Sequence, residues 1–257
     1  MQILLACAKT MHDDVKTELL LSTPKFQQQA DGFARDMMRY DVDTIAGMLG
    51  CSHQIAAQNK LRFMSFFDDD NHKLPAILAY YGQAYKHLKA ETMTDDDLLF
   101  ASQHLWITSF LYGLLRPLDG IRPYRMEGKV TLPYADGESL FDFWKPYLTD
   151  ALINSVKADD GVLVHLATEE FQRMFDWKRV CGEVHVVQPL FYVRKGDDLK
   201  MQAVWAKTCR GAMTRYIIDR RITTTGELLG FSYEGFEYDP HIGEADFPHF
   251  IRQYVSL

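Results

Sequence analysis

Val162–Glu170 reads VLVHLATEE, a compact apolar run closed by a threonine and two carboxylates. The aliphatic and β-branched stretch Val162–Ala167 predicts a central strand, because strands covered on both faces are apolar throughout rather than alternating. His165 within it reads as a core histidine. Side chains just beyond such a strand stand where α/β folds place ligands. Glu169 and Glu170 are therefore candidates for proton transfer, with first-turn helix acids as the plain alternative. Gln2–Ala8 repeats the pattern, an apolar run expected as a buried strand, with Lys9 and Thr10 where it ends.

Helical patterns separate these runs. Thr23–Arg39 opens with Pro24 and carries apolar residues at helical spacing. Thr44–Leu49 breaks at Gly50, and a second helix opens behind Ser52 as N-cap, so residues 42–60 form a helix-hairpin-helix-like element. Thr94 followed by three aspartates predicts a helix start, and the helix is expected to run to about Leu115. Phe141–Val156 reads as an amphipathic helix beginning after Ser139. Val130–Leu132 is expected as a short strand, Val184–Val193 and Leu199–Trp205 as a hairpin, and Leu228–Asp239 as strand and turn with Glu234 and Gly235 at the turn. The fold class that follows is mixed α/β, one domain over residues 1–257 with a central mixed sheet flanked by helices.

Two basic stretches stand out. Leu115–Arg125, LRPLDGIRPYR, sets Arg116, Arg122 and Arg125 on a turn stiffened by Pro117 and Pro123. Guanidinium forks held by rigid backbone suit phosphate or carboxylate, whereas pairing with the chain's own acids, Asp119 and Glu127 being nearest, is the alternative. Lys207–Arg221, KTCRGAMTRYIIDRR, wraps into a helix that clusters Lys207, Arg210, Gly211, Thr214 and Arg221 beside an apolar arc. Gly211 would let a ligand approach the backbone.

The formal charge of −7 excludes indiscriminate attraction to polyanions. Its distribution is uneven, however. Arg194–Arg221 carries eight basic residues against three acids, a net +5, which leaves −12 on the remainder. Cys7, Cys51, Cys181 and Cys209 have no metal-ligand spacing, and no metal or cofactor site is expected. No run approaches the roughly 20 apolar residues of a membrane span, and MQILLACAKT lacks the features of a signal peptide, so a cytoplasmic protein without a membrane partner is expected.

Taken together, AKT at Ala8–Thr10, LYGLLRPLDGIRPYRME at Leu111–Glu127, LATEEF at Leu166–Phe171, AKTCRGAMTRYII at Ala206–Ile218 and GFSYEGF at Gly230–Phe236 resemble the bacterial peroxide-stress protein YaaA family. The resemblance implies a cytosolic DNA-binding protein with a helix-hairpin-helix-like element, which limits free intracellular iron and oxidative DNA damage. By motif match it carries over Lys9, Thr10, Arg116, Asp119, Arg122, Tyr124, Arg125, Glu169, Glu170, Lys207, Arg210, Gly211, Arg215 and Glu234. One departure is visible, Ala6 and Cys7 standing where the family usually has Ser-Pro.

Two functions follow. In the first, Lys9, Thr10, Gly50, Arg116, Arg122, Tyr124, Arg125, Lys207, Arg210, Gly211 and Arg215 bind double-stranded or structured DNA through its phosphates. In the second, the same cations clamp a small nucleotide-like anion while Lys9, Glu169, Glu170 or Glu234 moves a proton. DNA binding alone gives no role to the carboxylates. An enclosed pocket would favour the small ligand, an open groove the duplex.

Overall fold

A computed structural model describes residues 1–15 and 17–254. Its first sheet has five strands, β1 (Gln2–Leu5), β2 (Leu105–Ser109), β3 (Gly113–Leu115), β4 (Val162–Leu166) and β5 (His185–Val187), in the order β3-β2-β1-β4-β5. β1 is central, parallel to β2 on one side and to β4 on the other, and only β3 runs antiparallel. Every residue of β1 and β2 is buried, which explains their largely apolar composition, Gln2, Thr108 and Ser109 being the buried polar exceptions. The expected strand at Val162–Ala167 lies beside β1 rather than at the centre.

A second sheet holds β6 (Leu190–Lys195), β7 (Asp198–Lys200), β8 (Ser232–Tyr233), β9 (Phe236–Glu244) and β10 (Phe247–Gln253), ordered β7-β6-β10-β9-β8. One central sheet was the expectation; the described residues form this second five-stranded sheet beside it and two further two-stranded pairs. Val184–Val193 accordingly divides, β5 joining the first sheet and β6 the second. The turn after Lys195 makes a hairpin between β6 and β7, but the strand expected over Leu199–Trp205 stops at Lys200, and Ala203–Trp205 open a helix instead.

The longer helices are α1 (Gln27–Met37), α2 (Val42–Leu49), α3 (His53–Met64), α4 (Gln83–Leu88), α5 (Asp95–His104), α6 (Leu140–Ala158), α7 (Trp177–Glu183) and α8 (Ala203–Arg220). Local chemistry sets their starts. Thr94 and Asp97 close a reciprocal capping box on α5, and Ser139 caps α6. The helix begun at Thr94 stops at His104 instead of running to Leu115, because Leu105–Ser109 is drawn into the sheet as the buried neighbour of β1. Val130–Leu132 forms no strand; Thr131 makes a single bridge to Ser139. The two helices about Gly50 are present, with Gly50 left-handed at φ 56° ending α2 and Ser52 capping α3.

One apolar cluster runs through both sheets. α8 joins them, packing on β1 and β6 and along α4. No helix among the described residues is long and apolar enough to cross a membrane.

Candidate functional site

The carboxyl ends of β1, β2 and β4 open into a recess of about 360 Å³, within the usual size range of small-molecule sites. Chain emerging from β1 supplies Cys7, Lys9 and Thr10; Phe110 follows β2; Thr168, Glu170 and Phe171 follow β4. Tyr124 and Arg125 enter from the arginine turn, Gln83 and Tyr85 from α4, Lys207 and Arg210 from α8. Six segments of the chain thus meet at the edge where parallel strands end. Side chains there are not consumed by sheet pairing, so the fold leaves them free for chemistry.

The floor is apolar and aromatic. Phe110 stacks on Phe171 with centroids 4.9 Å apart. Tyr124 is buried, its hydroxyl 2.8 Å from that of Tyr80 and 2.6 Å from Ser109 Oγ. Burial raises Tyr80, Tyr85 and Tyr124 well above the ordinary phenol range, so all three stay protonated and serve as hydrogen-bonding struts.

The rim is charged. Lys9 Nζ lies 2.7 Å from Glu127 Oε2, and Arg125 Nη2 donates to Glu127 Oε1 at 3.2 Å, so one carboxylate holds both cations. Arg125 Nε is buried without a hydrogen-bond partner among the described residues. Its peptide is clamped at both ends by the buried Asn59 of α3, which accepts from Arg125 N at 2.7 Å and donates to Arg125 O at 3.0 Å. The second helix of the glycine-linked pair therefore positions a pocket arginine. Arg210 has a half-buried guanidinium that no ion pair or hydrogen bond among the described residues satisfies; burial lowers its pKa, partly countered by Glu169. Such a desolvated cation gains strongly from an anionic partner.

Cys7 is no nucleophile at neutral pH. Burial, with Glu170 and Glu127 adding to it, pushes its thiol up to about 12. Glu170 is exposed at the same rim. Among the described residues no group of three His, Cys, Asp or Glu side chains is placed to hold a metal ion.

Of the residues singled out from sequence, Lys9, Thr10, Tyr124, Arg125, Glu170, Lys207 and Arg210 line the recess. The others stand outside its lining, most of them with a packing role. Arg116 lies at the opposite end of the sheet, bonded to Gln2 Oε1 and the Leu105 carbonyl, both at 3.1 Å, with its guanidinium 3.4 Å from the Trp106 ring centroid. Asp119 accepts from Arg116 N and Ser22 Oγ. Arg122 donates to the Asn71 carbonyl and rests over Phe66, fastening the acidic loop. Arg215 donates to Lys89 O and Thr92 Oγ1, each at 2.8 Å, just past the end of α4.

Gly50 ends α2, and His53 at the N-terminus of α3 lies 3.4 Å from Asp43 in the first turn of α2. Gly211 faces the Ala84 carbonyl, so its lack of a side chain serves helix packing rather than a ligand. Glu234, at φ 51°, sits in the turn between β8 and β9, and Glu169 is exposed beside the recess. Sequence reading passed over Cys7 and Gln83 as site residues. Gly82, the interruption directly before Gln83, is the one signal that pointed there.

The family profile described as peroxide stress protein YaaA matches residues 1–242. The chain belongs to that family. A UPF0246 protein of Phocaeicola vulgatus is 44% identical over the full length of both chains. Another from Bacteroides fragilis is 43% identical over 95% of each, and one from Cereibacter sphaeroides is 34% identical over 93% of each. YaaA-family membership supports a role in peroxide stress.

Proposed function

We propose that the chain serves the peroxide response by binding a small phosphate- or carboxylate-bearing molecule, nucleotide-like in size, in the recess at the carboxyl ends of the first sheet. The observation that carries this reading is Arg210, a desolvated cation with no internal partner among the described residues, facing the same enclosure as Lys207, Lys9 and Arg125. An open groove for a duplex would not need aromatic walls or carboxylates. In this reading Arg210 and Lys207 clamp the anion, Lys9 and Arg125 complete the cationic rim, and Glu170 is the group placed to accept or return a proton. Titrating the chain with AMP at low and moderate salt tests it: binding that Arg210→Ala weakens tenfold or more is expected, and equal affinity in the variant would overturn the reading.

DNA binding is the second reading, favoured by the exposed Gly50–Ser52 turn and the first free N–H groups of α3. It predicts duplex binding that weakens steeply with salt and is reduced by a bulky substitution at Gly50. Limitation of free iron is proposed to run through the pocket's ligand, and comparing chelatable iron in cells carrying the wild type or Arg210→Ala tests that link.

A further inference from the structure

The GFSYEGF block near the C-terminus contributes nothing to the recess directly, yet a hydrogen-bonded path leads from it to the wall. Glu234 and Gly235, at φ 51° and 78°, form the two-residue turn between β8 and β9, closed by the pair Tyr233 and Phe236. That turn sets Tyr233 against α4, its hydroxyl 2.8 Å from His87 Nδ1 and the two rings edge to face at 5.7 Å. One helical turn earlier, Gln83 Nε2 lies 3.3 Å from His87 Nε2 and 2.7 Å from Oγ1 of the buried Thr208 on α8.

These contacts fix what Gln83 can offer. Burial keeps His87 below the ordinary histidine range, and the tautomer of the neutral ring that pairs with both neighbours donates from Nδ1 to the Tyr233 hydroxyl and accepts at Nε2 from the Gln83 amide. Both amide hydrogens of Gln83 are thereby engaged, one by Thr208 and one by His87. Its carbonyl oxygen Oε1 has no partner among the described residues, and Gln83 lines the recess. The amide is locked as a hydrogen-bond acceptor beside a flat aromatic floor. An acceptor there matches an N–H on a planar ring, and a ligand lacking that N–H would leave the Gln83 carbonyl unpaired in the closed site.

We propose that Gln83 is the specificity-determining residue of the recess, reading a ring N–H of a phosphorylated heterocycle of the nucleotide class, and that His87 and Tyr233 are its positioning residues. This rests on the anion-binding reading of the same pocket. Phosphate meets Arg210 and Lys207 while the ring lies over Phe110 and Tyr124 and turns its N–H edge to Gln83.

The test compares AMP, GMP, CMP and UMP with ribose 5-phosphate, which keeps the phosphate and drops the ring, by calorimetric titration. In the wild type GMP and UMP, whose rings carry an N–H at N1 and N3, are expected to bind tenfold or more tighter than ribose 5-phosphate, whereas AMP and CMP, whose ring nitrogens bear no proton, should lack that advantage. Gln83→Leu should bring that ratio to within about twofold of unity while leaving ribose 5-phosphate affinity unchanged, which also reports an intact pocket. Tyr233→Phe should lower the ratio part-way by freeing His87. Ribose 5-phosphate bound as tightly as every nucleotide, or a ratio that survives Gln83→Leu, overturns this proposal and leaves the anion pocket standing. Failure of all five compounds to bind overturns both.

Discussion

Gly211 of α8 lies so close to Ala84 of α4 that a Cβ placed on the glycine would overlap the Ala84 carbonyl. This contact lets α8 bring Lys207 and Arg210, and α4 bring Gln83, to one wall of the recess. Gly211→Ala therefore trades a gain in helix propensity of about 1 kcal/mol for overpacking against backbone that cannot rotate away. The expected net loss is about 1–3 kcal/mol, read as a lower denaturation midpoint, together with weaker ligand binding. An unaltered midpoint would mean the two helices part freely.

Arg210→Ala should separate stability from binding. The guanidinium is desolvated with no hydrogen bond or ion pair among the described residues and only the Glu169 charge to offset part of that cost, so removing it relieves the fold rather than injuring it. The expected outcome is a melting temperature that holds or rises, while AMP affinity falls by about 1.5–3 kcal/mol, the worth of hydrogen bonds to a charged group. A clear drop in melting temperature would show that the arginine is already satisfied inside the protein.

Arg116→Ala should do the opposite. Its loss strips a partner from Gln2, the Leu105 carbonyl and Ser155 Oγ, and uncovers Trp106. A cost of about 2–3 kcal/mol is expected, with AMP affinity unchanged within about twofold because the site lies at the other end of the sheet. Arg116→Lys should recover little, since a single ammonium cannot span three acceptors and lie flat on an indole.

His165, buried on β4 and 4.7 Å from the Trp177 ring, should tie stability to pH. Burial first, and the Arg210 charge second, lower its pKa from 6.5 to about 3. Between those values the unfolded chain binds the proton and the folded chain does not, so this contribution is complete above about pH 6.5 and drains away as pH falls towards 3. Unfolding free energies of wild type and His165→Leu, measured across that interval, should diverge in slope, with the variant flatter. Parallel curves would mean that the imidazole takes up a proton in the folded state.

Much of the first sheet could be read from Gln2–Ala8 and Val162–Ala167, because an unbroken apolar run has few places to go other than a covered strand. Leu105–Ser109 was lost inside a helical pattern since no turn residue separates it from α5; parallel pairing with β1 decides its state, and pairing is not a local property. The arginine turn shows the same limit in another form. Arg116, Arg122 and Arg125 share residue type and setting, yet only Arg125 reaches the recess, because Trp106, Phe66 and two backbone carbonyls compete for the others. Gly211 was noticed for its freedom, but the neighbour that needs it is Ala84, 127 positions upstream.

Glu127 gives Lys9 and Arg125 a counter-ion from the chain itself. Any solute that reaches for these two cations has to outbid that tethered rival, which is present at every dilution. Chloride or acetate brings one charge and gains nothing over a carboxylate already in place, whereas a dianionic phosphate offers more charge and more acceptor oxygens. At this corner of the rim, monovalent anions thus meet an occupant the polypeptide can never release.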